Sequence, residues 1–370
     1  MKILIATDKF KGTFSSKEIN KMISKALKEN DNTIETEEMQ VSDGGDGLVE
    51  AIRFRNNFSR WEFLSYSANK ERKVQSKYLY NIYSRTAIVE SALSIGISKL
   101  RRDEKNPLVT SSYGLGYDIS RVMEVRKNVK TVIVGIGGTA TNDLFFGGAE
   151  VFGYQFVDKD GNKVEPIPEN FMKIDKIIKP EHLDLPEILV ATDVTNPLCG
   201  ENGASKVFGP QKGATNEQTD FLDNALFHGA KLIKRDLGFD ILDIKGAGAG
   251  GGIGGGMIAF LGGKIIQGAD FVLDTQLFDE EAMKADVIIT GEGSFDSQSL
   301  QGKITGNIIK RAQKLNKPVV VICGKADPNL KIENCKIVSL FTEDIDLQEA
   351  KKLTEEKINS KVYWAVNNCL

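Results

Sequence analysis

The sequence of 370 residues places acidic side chains beside clusters of glycine at several points. Aspartates lie among glycines in Val41–Gly47, and Glu292 and Asp296 follow a short apolar run. Another glycine-rich segment, Gly135–Asp143, ends in hydroxyl, amide and carboxylate side chains. Backbone amides of glycine-rich turns bind phosphate oxygens, and carboxylates hold Mg²⁺ directly or through water. Together these residue types favour chemistry on a phosphate group.

The segment that ends at Asp143 has the most explicit pattern. Thr131–Val134 is β-branched throughout, which predicts a strand buried on both faces. The glycines in Gly135–Gly138 let the backbone turn tightly and approach a ligand. If a helix starts at Thr139–Asp143, its first N–H groups face an anion. This pattern predicts a phosphate site, although a turn that serves only the chain topology has the same residues.

Two other glycine-rich segments leave their roles open. Val41–Gly47 leads into a predicted helix, Leu48–Phe54, and fits a metal or phosphate loop as well as a plain turn. Gly246–Gly256 carries no charge and precedes an apolar helix at Met257–Leu261. It must therefore act through its backbone, either as a phosphate nest or as a close-packing device.

The elements that position these residues follow from local patterns. Lys2–Thr7 reads as a strand, and a capping box at Ser15–Glu18 starts an amphipathic helix that runs to about residue 29. A strand, a loop and a helix in this order indicate an α/β fold, in which ligands bind beyond the carboxyl ends of strands. The charged residues at that end are Asp8, Lys9 and Lys11.

Later segments add strands and a change of pattern. Alternation from Trp61 to about residue 90 predicts antiparallel strands and entry into a second domain. The hydroxyls of Thr110–Ser112 are expected to cap a helix. A strand at Glu187–Thr192 is expected to end just before Asp193. Another, at Asp286–Thr290, is expected to end just before the Gly-Glu-Gly sequence that contains Glu292.

Composition excludes several classes of protein. A net charge of -3 argues against a nucleic-acid partner, because phosphate backbones demand clustered cations. The sequence has no apolar run of the ~20 residues that cross a bilayer and no signal-peptide core, so we expect a cytoplasmic protein. Two histidines and four scattered cysteines argue against a zinc site or a Ser-His-Asp triad. Carboxylates, lysines and backbone amides must supply the chemistry.

Three functional classes fit these constraints. A phosphotransferase needs a phosphate cradle, carboxylates for Mg²⁺ and a base, but the sequence lacks the P-loop and protein-kinase motifs. A Rossmann NAD(P)-dependent oxidoreductase of a small hydroxy acid is the main alternative, because Gly135–Ala140 fits G-x-G-x-x-G/A. Its ribose-binding acid would be Asp158 or Asp160, which lie in a predicted hairpin turn. A non-catalytic sugar-acid or nucleotide binding protein is the third class.

Seven segments, in order and across nearly the whole chain, closely resemble the bacterial type-1 glycerate kinase family. They are Asp8–Gly12, Asp43–Gly47, Gly135–Asp143, Asp193–Leu198, Phe208–Ala214, Gly246–Gly251 and Gly291–Gly293. The resemblance implies phosphorylation of D-glycerate by ATP with Mg²⁺, on the 2-hydroxyl. The protein is expected to be a monomer or a homodimer, between which the sequence does not distinguish. The resemblance also implies a flavodoxin-like parallel-sheet domain (residues 1–60 and 275–370), an inserted mixed α/β domain (residues 61–274), and an active site in the cleft between them.

The chain departs from the family pattern in three places. Ser294 stands where the family usually has Arg, Asp46 replaces Glu, and Leu144–Phe145 replaces Gly-Gly. If the missing Arg grips a carboxylate or phosphate, Lys303 or Lys9 must supply that charge. These differences bear on substrate preference more than on the class of reaction.

The resemblance and the residue types together suggest a role for each candidate. We hypothesise that Asp193, or as second choice Asp43, orients or deprotonates the glycerate hydroxyl. Glu292 and Asp296 are the expected Mg²⁺ ligands. Lys9 and Lys11 would neutralise the substrate carboxylate or the transferring phosphate. The residues expected to bind substrate or nucleotide phosphates are Asp8, Gly44, Gly45, Gly137, Gly138, Thr139, Thr141, Asn142, Asn196, Gly248, Gly250, Gly251 and Lys303.

Overall fold

The computed structural model describes residues 1–52, 57–300, 302–343 and 345–369. By their internal contacts the residues divide into two units. Unit 1 comprises Met1–Asp43, Glu50–Asn56 and Ala269–Leu370, and unit 2 comprises Gly44–Val49 and Asn57–Gly268. The predicted helix Leu48–Phe54 ends at a residue, Phe54, that lies outside the described residues.

The strands are numbered in chain order. They are β1 (Lys2–Thr7), β2 (Glu35–Glu38), β3 (Phe58–Tyr66), β4 (Lys73–Asn81), β5 (Thr86–Glu90), β6 (Thr131–Gly135), β7 (Gln155–Val157), β8 (Lys176–Ile178), β9 (Glu187–Ala191), β10 (Lys264–Ile266), β11 (Val287–Phe295), β12 (Val319–Ala326) and β13 (Cys335–Ser339).

The α-helices are numbered in the same way. They are α1 (Ser16–Asn30), α2 (Leu48–Ile52), α3 (Ala92–Ile95), α4 (Tyr113–Val125), α5 (Phe146–Val151), α6 (Ala204–Phe208), α7 (Asn216–Leu237), α8 (Ile253–Leu261), α9 (Gly268–Thr275), α10 (Phe278–Lys284), α11 (Ile304–Lys314) and α12 (Leu347–Asn367). None of the helices in the described ranges combines the length and the apolar character needed to cross a membrane.

Unit 1 contains a parallel sheet in the order β13-β12-β11-β1-β2. Strand β1 pairs with β11, which lies more than 280 residues later in the chain, so that Thr7 stands opposite Gly291. The apolar side chains of these central strands are buried, as expected for a parallel sheet covered on both faces. This register brings the chain segments after Thr7 and around Gly291 to the same edge of the sheet.

Unit 2 contains a mixed sheet in the order β10-β9-β6-β5-β4-β3 and a separate antiparallel pair, β7 and β8. Strands β10, β9, β6 and β5 run parallel, whereas β3, β4 and β5 are antiparallel neighbours. The predicted α/β class, with one parallel sheet and one mixed sheet, is confirmed. The antiparallel strands predicted from the alternation after Trp61 are β3 and β4.

The capping box predicted at Ser15–Glu18 is present, and helix α7 starts with another. The Ser15 hydroxyl accepts the N–H of Glu18, whose carboxylate accepts the N–H of Ser15 at 2.8 Å, and α1 starts there. Thr215 and Gln218 make the same reciprocal pair at the start of α7. A capping box depends only on residues three apart, which is why the sequence predicts it well.

One predicted strand end is wrong. Strand β11 continues through Gly291 and Glu292 to Phe295 and pairs with β12 along this length, so the Gly-Glu-Gly sequence lies in a strand and not in a loop. A Cβ at Gly291 would lie only 1.7 Å from the carbonyl oxygen of Ile322. The glycine therefore allows β12 to approach closely, where the sequence pattern suggested a break.

Candidate active site

A group of carboxylates lies at the carboxyl end of β1 in unit 1. The N–H of Asp8 donates to the carbonyl oxygen of Gly291 at 2.8 Å, which fixes the first residue after β1 beside β11. Desolvation, followed by the neighbouring carboxylates of Asp43 and Glu292, raises the pKa of Asp8 to about 7, against the opposing charge of Lys9. The predicted residues Asp8, Asp43 and Glu292 therefore interact electrostatically.

Glu292 is the most buried member of this group, with 8% of its surface exposed. Burial raises the pKa of its carboxyl group, and Lys303, whose Nζ lies 3.9 Å from Oε2, acts in the opposite direction. The other oxygen, Oε1, accepts no hydrogen bond from any residue that the structure describes. A buried carboxylate oxygen without a donor is costly, so this atom is suited to a cation or an ordered water.

Asp296 has a different environment. Its Oδ1 accepts the N–H groups of Gln298 at 2.8 Å and of Ser299 at 3.2 Å, at the start of a 3₁₀ turn (Ser297–Leu300). This carboxylate therefore holds the turn that follows β11. Its charge also contributes to the raised pKa of Glu292, which places the two predicted metal ligands near each other.

The carboxylate group of unit 1 fits a divalent cation with few protein ligands. Within the described ranges, no three His, Cys, Asp or Glu side chains are placed to hold a metal ion together. Mg²⁺ usually keeps several waters and takes only one or two carboxylates together with substrate phosphates. The unpartnered Oε1 of Glu292 and the mutual repulsion with Asp8 match such a partly open site.

The two lysines near Asp8 lie in the same loop. Lys9 follows Asp8 directly and lowers its pKa. A Cβ at Gly293 would lie 3.6 Å from the backbone nitrogen of Lys11, so the loop after β1 runs beside the Gly-Glu-Gly sequence. The predicted residues of unit 1 that the structure brings to this sheet edge are Asp8, Lys9, Lys11, Asp43, Glu292, Asp296 and Lys303.

In unit 2, glycines from distant segments pack against each other. A Cβ at Gly137 would lie 2.7 Å from the Cα of Gly45, and one at Gly135 would lie 2.4 Å from the carbonyl oxygen of Gly44. A Cβ at Gly44 would in turn lie 2.5 Å from the Cα of Gly268. These contacts exclude any side chain, so the glycines are required for the backbones to meet.

Glu90 fixes the loop that carries Gly44 and Gly45. It ends β5, is 2% exposed, and accepts the N–H groups of Gly47 and Val49, both at 2.9 Å. Its carboxylate thus occupies the start of helix α2, where an anion is favoured. Sequence analysis missed this role, because the only signal was an acid at a strand end more than 40 residues away.

The glycine-rich turn at Gly248–Gly251, the second glycine-rich turn, packs against the one at Gly137–Thr141. The hydroxyl of Thr139 donates to the carbonyl oxygen of Gly250 at 3.1 Å. Gly248 donates its N–H to the carbonyl oxygen of Asn196 at 3.2 Å, which joins this turn to the loop after β9 that carries Asp193. Gly250, like Gly138, has a positive φ, a conformation that glycine adopts without strain.

The polar residues Asn142 and Asp143, which follow the turn at Gly137–Thr141, are buried and do not start a helix. Helix α5 begins at Phe146, later than predicted. The Oδ2 atom of Asp143 accepts the N–H and hydroxyl of Ser112 at 2.7 and 2.8 Å and the N–H of Gly147 at 3.2 Å, and burial raises the pKa of this carboxyl. The side-chain amide of Asn142 donates to Ser205 at 2.9 Å. This packing overrides the local helix-start signal.

Of the three hydroxyls expected to cap α4, only that of Ser111 does so: it accepts the N–H of Tyr113, the first residue of the helix, at 3.2 Å. Ser112 precedes α4 but makes no side-chain cap hydrogen bond; its hydroxyl donates to Asp143 instead. Thr110 donates to the carbonyl oxygen of Ala140 at 3.0 Å. The buried carboxyl group of Asp143 is the preferred acceptor for Ser112, and the hydroxyls of Thr110 and Ser112 hold the segment that follows β6.

Lys212 is the second residue that sequence analysis missed. It is 3% exposed, and its Nζ donates to the carbonyl oxygen of Thr141 at 2.6 Å. Burial lowers its pKa to about 8, opposed by the nearby charge of Asp143. The only signal was its place in the Phe208–Ala214 segment, which the family resemblance included.

Direct contacts in unit 2 therefore join most of its predicted binding residues. These are Gly44, Gly45, Gly137, Thr139, Asn196, Gly248 and Gly250, with Thr141 and Gly251 meeting beside Lys212. Gly138 lies beside Asp46, and Asn142 is held by Ser205. The glycine backbones and buried polar side chains of these segments therefore lie close together within unit 2.

Comparison with known proteins gives consistent results. The family model described as the glycerate kinase family matches residues 3–367. The chain is 36% identical to "Glycerate 2-kinase" of Escherichia coli K12 (88% of this chain, 85% of that protein) and 37% identical to "Glycerate kinase" of Haemophilus influenzae Rd (88% and 86%). It superposes on a crystal structure named as a glycerate kinase 2 from Salmonella typhimurium LT2 with a TM-score of 0.80, 33% identity and coverage of 99% and 98%.

Proposed function

The chain belongs to the glycerate kinase family, and from this membership we propose that it transfers the γ-phosphate of ATP to the 2-hydroxyl of D-glycerate, giving 2-phosphoglycerate and ADP. The match to the family over residues 3–367 is the observation that carries the proposal. A relative at 36% identity is named for the 2-kinase reaction, which supports the 2-hydroxyl as acceptor.

Unit 2 supplies the groups suited to anions. We propose that Gly137–Thr141 and Gly248–Gly251 bind the phosphates of the nucleotide or the carboxylate of glycerate. Their glycines permit close backbone approach, and the contact from Thr139 to Gly250 holds the two turns together. Phosphoryl transfer involves little covalent chemistry by the protein, so precise positioning supplies most of the catalysis.

Unit 1 supplies the groups suited to Mg²⁺. We propose that Glu292 holds the ion through its unpartnered Oε1, with Asp296 as the second predicted ligand and Asp8 and Asp43 contributing negative charge. When bound, Mg²⁺ neutralises charge on the phosphates during transfer. Lys9 acts to lower the pKa of Asp8, and Lys303 acts to lower that of Glu292. We propose that the same two ammonium groups balance negative charge on the substrate.

A base must accept the proton of the glycerate hydroxyl. We propose Asp193 for this role, with Asp43 as the second choice. Asp193 follows β9, and its loop joins the second glycine-rich turn through Asn196 and Gly248. We further propose two domains, residues 1–60 with 275–370 and residues 61–274, whose side chains serve this one reaction.

A coupled assay of ADP release tests the proposal. ADP should form only when ATP, Mg²⁺ and D-glycerate are all present, and L-glycerate serves as the matched control acceptor. Reduction of NAD(P)⁺ with D-glycerate would instead favour the oxidoreductase alternative. Calorimetric binding of D-glycerate with no turnover in either assay would favour a binding protein.

A further inference from the structure

Lys212 is a fully covered cation for which the proposed reaction has no role. It ends a 3₁₀ turn, Pro210–Lys212, and is 3% exposed. Burying a lysine is unfavourable unless its ammonium group is paired or hydrogen-bonded, so the position calls for a reason. The reason lies in what its Nζ contacts.

The ammonium group lies where the two glycine-rich turns meet. Its Nζ donates to the carbonyl oxygen of Thr141 at 2.6 Å. A Cβ on Gly251 would lie 2.8 Å from the same Nζ and 2.0 Å from the same carbonyl oxygen. Gly251 thus leaves the space that Lys212 fills, and two residues before Thr141 the hydroxyl of Thr139 bonds Gly250. The Lys212 side chain therefore bonds the turn that contains Thr141 and packs against Gly251 of the other turn.

Charge adds to this geometric role. Asp143 is the acid that faces Lys212, and its Oδ2 is already bonded by Ser112 and Gly147. The ammonium bonds directly to the turn, so its charge lies closest to the backbone of Thr141. A cation held beside a turn strengthens the attraction of that turn for an anion even without touching the anion.

We infer that Lys212 is a positioning residue, which locks the Thr141 and Gly251 backbones together and adds positive charge beneath both turns, so that they bind an anionic group of a substrate. This inference rests on the proposed function of the turns. The anion is either a phosphate of ATP or the carboxylate of D-glycerate. Both groups are anions that backbone amides bind, but they belong to different ligands. Loss of Lys212 should therefore raise the dissociation constant of ATP in the first case and that of D-glycerate in the second.

Calorimetry with Lys212→Met tests the inference without requiring turnover. The variant keeps the side-chain length and removes the charge and the donor. We expect the dissociation constant of either ATP or D-glycerate to rise about tenfold, which corresponds to about 1.4 kcal/mol, while the other changes less. Lys206→Met is the matched control, because Lys206 is a lysine of the neighbouring helix α6 that pairs with Asp220; it should bind both ligands as the parent does.

A second readout separates this role from simple structural support. In the parent protein, binding of the affected ligand should weaken as the pH rises above about 8, because the ammonium loses its proton; among the described residues, Asp143 is the charged group that acts on it. The same weakening should occur in Lys206→Met and be absent in Lys212→Met. Unchanged binding of both ligands by folded Lys212→Met overturns the inference.

If Lys212→Met does not fold, the parent protein decides the question. Affinity for both ligands that stays constant to about one unit above pH 8 would overturn the inference. Failure of the proposed function is a separate result: ADP release from the parent protein would then be absent, whatever the binding measurements on Lys212→Met show.

Discussion

The two carboxylates predicted to bind Mg²⁺ differ in what surrounds each oxygen. Oε1 of Glu292 is buried without a hydrogen-bond donor among the described residues, whereas Oδ1 of Asp296 holds the turn after β11 through two N–H groups. Similar carboxylates therefore have different capacities for a cation. Sequence spacing could not distinguish them, because the difference arises from burial and from the local turn.

Glu292→Gln should lose more activity than Asp296→Asn. Gln keeps the size of Glu but cannot supply an anionic ligand, so we expect turnover at fixed Mg²⁺ to fall about 10²-fold or more for Glu292 and less for Asp296. Initial rates over a range of Mg²⁺ concentrations measure this. Retained Mg²⁺-dependent activity in the double variant would remove the metal assignment.

The affinity for Mg²⁺ should depend on pH through Asp8. Its pKa of about 7 means that the folded protein keeps a proton there below pH 7, and Mg²⁺ binding requires ionised carboxylates nearby. The dissociation constant for Mg²⁺ should therefore fall as the pH rises from about 6 to about 8. Titrations at several pH values measure the change.

Two variants make this prediction specific to Asp8. Asp8→Asn should reduce the pH dependence, because Asp8 then no longer titrates while the buried carboxyl group of Glu292 still does. Asp118→Asn should preserve it, because burial raises the pKa of Asp118 to about 7 as well, but its carboxylate is bonded by Ser65 and Ser76 in unit 2. A dissociation constant that does not change with pH in the parent protein would contradict the account.

Asp193→Asn should lower kcat by about 10²–10⁴, because an amide cannot accept the proton of the acceptor hydroxyl. Substrate binding should change much less than kcat, since Asn preserves the shape and part of the hydrogen-bonding capacity. Steady-state kinetics with D-glycerate as the varied substrate separate the two. Turnover equal to the parent's would exclude Asp193 as the base and leave Asp43 as the candidate.

At the scale of elements, a side chain on one strand fixes the loop of another segment. Glu90 at the end of β5 holds the start of α2 through Gly47 and Val49. Local sequence predicts elements whose signals are adjacent, such as the capping box at Ser15. Local sequence does not predict partners separated by tens of residues. It therefore does not indicate the roles of Glu90 and Lys212, and it predicts a helix cap for Ser112, whose hydroxyl bonds Asp143 instead.

Glu90→Gln should destabilise the protein and weaken substrate binding together. The amide can accept one N–H but directs its NH₂ group at the other, which leaves a buried donor unsatisfied and costs about 1–3 kcal/mol. Denaturant unfolding and substrate dissociation constants measure both effects. Glu62→Gln, in the exposed part of β3, is the matched control. Loss of neither property would show that the loop does not depend on Glu90.

At the scale of the whole molecule, the fold class could be predicted because strands and helices alternate along much of the chain and their local patterns are strong. The register could not be predicted in the same way. Thr7 lies opposite Gly291, and this pairing depends on burial of the whole sheet. The predicted strand end at Thr290 was wrong for a related reason, since β12 supports β11 as far as Phe295.

MgATP should stabilise the entire protein against unfolding, whereas NAD⁺ and NADP⁺ should not. A ligand at 100 times its dissociation constant adds about 2.7 kcal/mol if it binds only the folded state. Thermal midpoints measured with each ligand compare the kinase with the oxidoreductase alternative. Glu292→Gln should reduce the shift given by MgATP more than the shift given by ATP with a chelator. Stabilisation by NAD(P)⁺ alone would contradict the kinase assignment.

A phosphorus NMR spectrum of the complete reaction tests the central claim most directly, because it identifies the donor, the acceptor and the position of transfer at once. With ATP, Mg²⁺ and D-glycerate, the account predicts that the ATP signals give way to those of ADP and of a phosphomonoester coupled to the single proton on carbon 2. A phosphomonoester coupled to the two protons of carbon 3, or only inorganic phosphate, would contradict it.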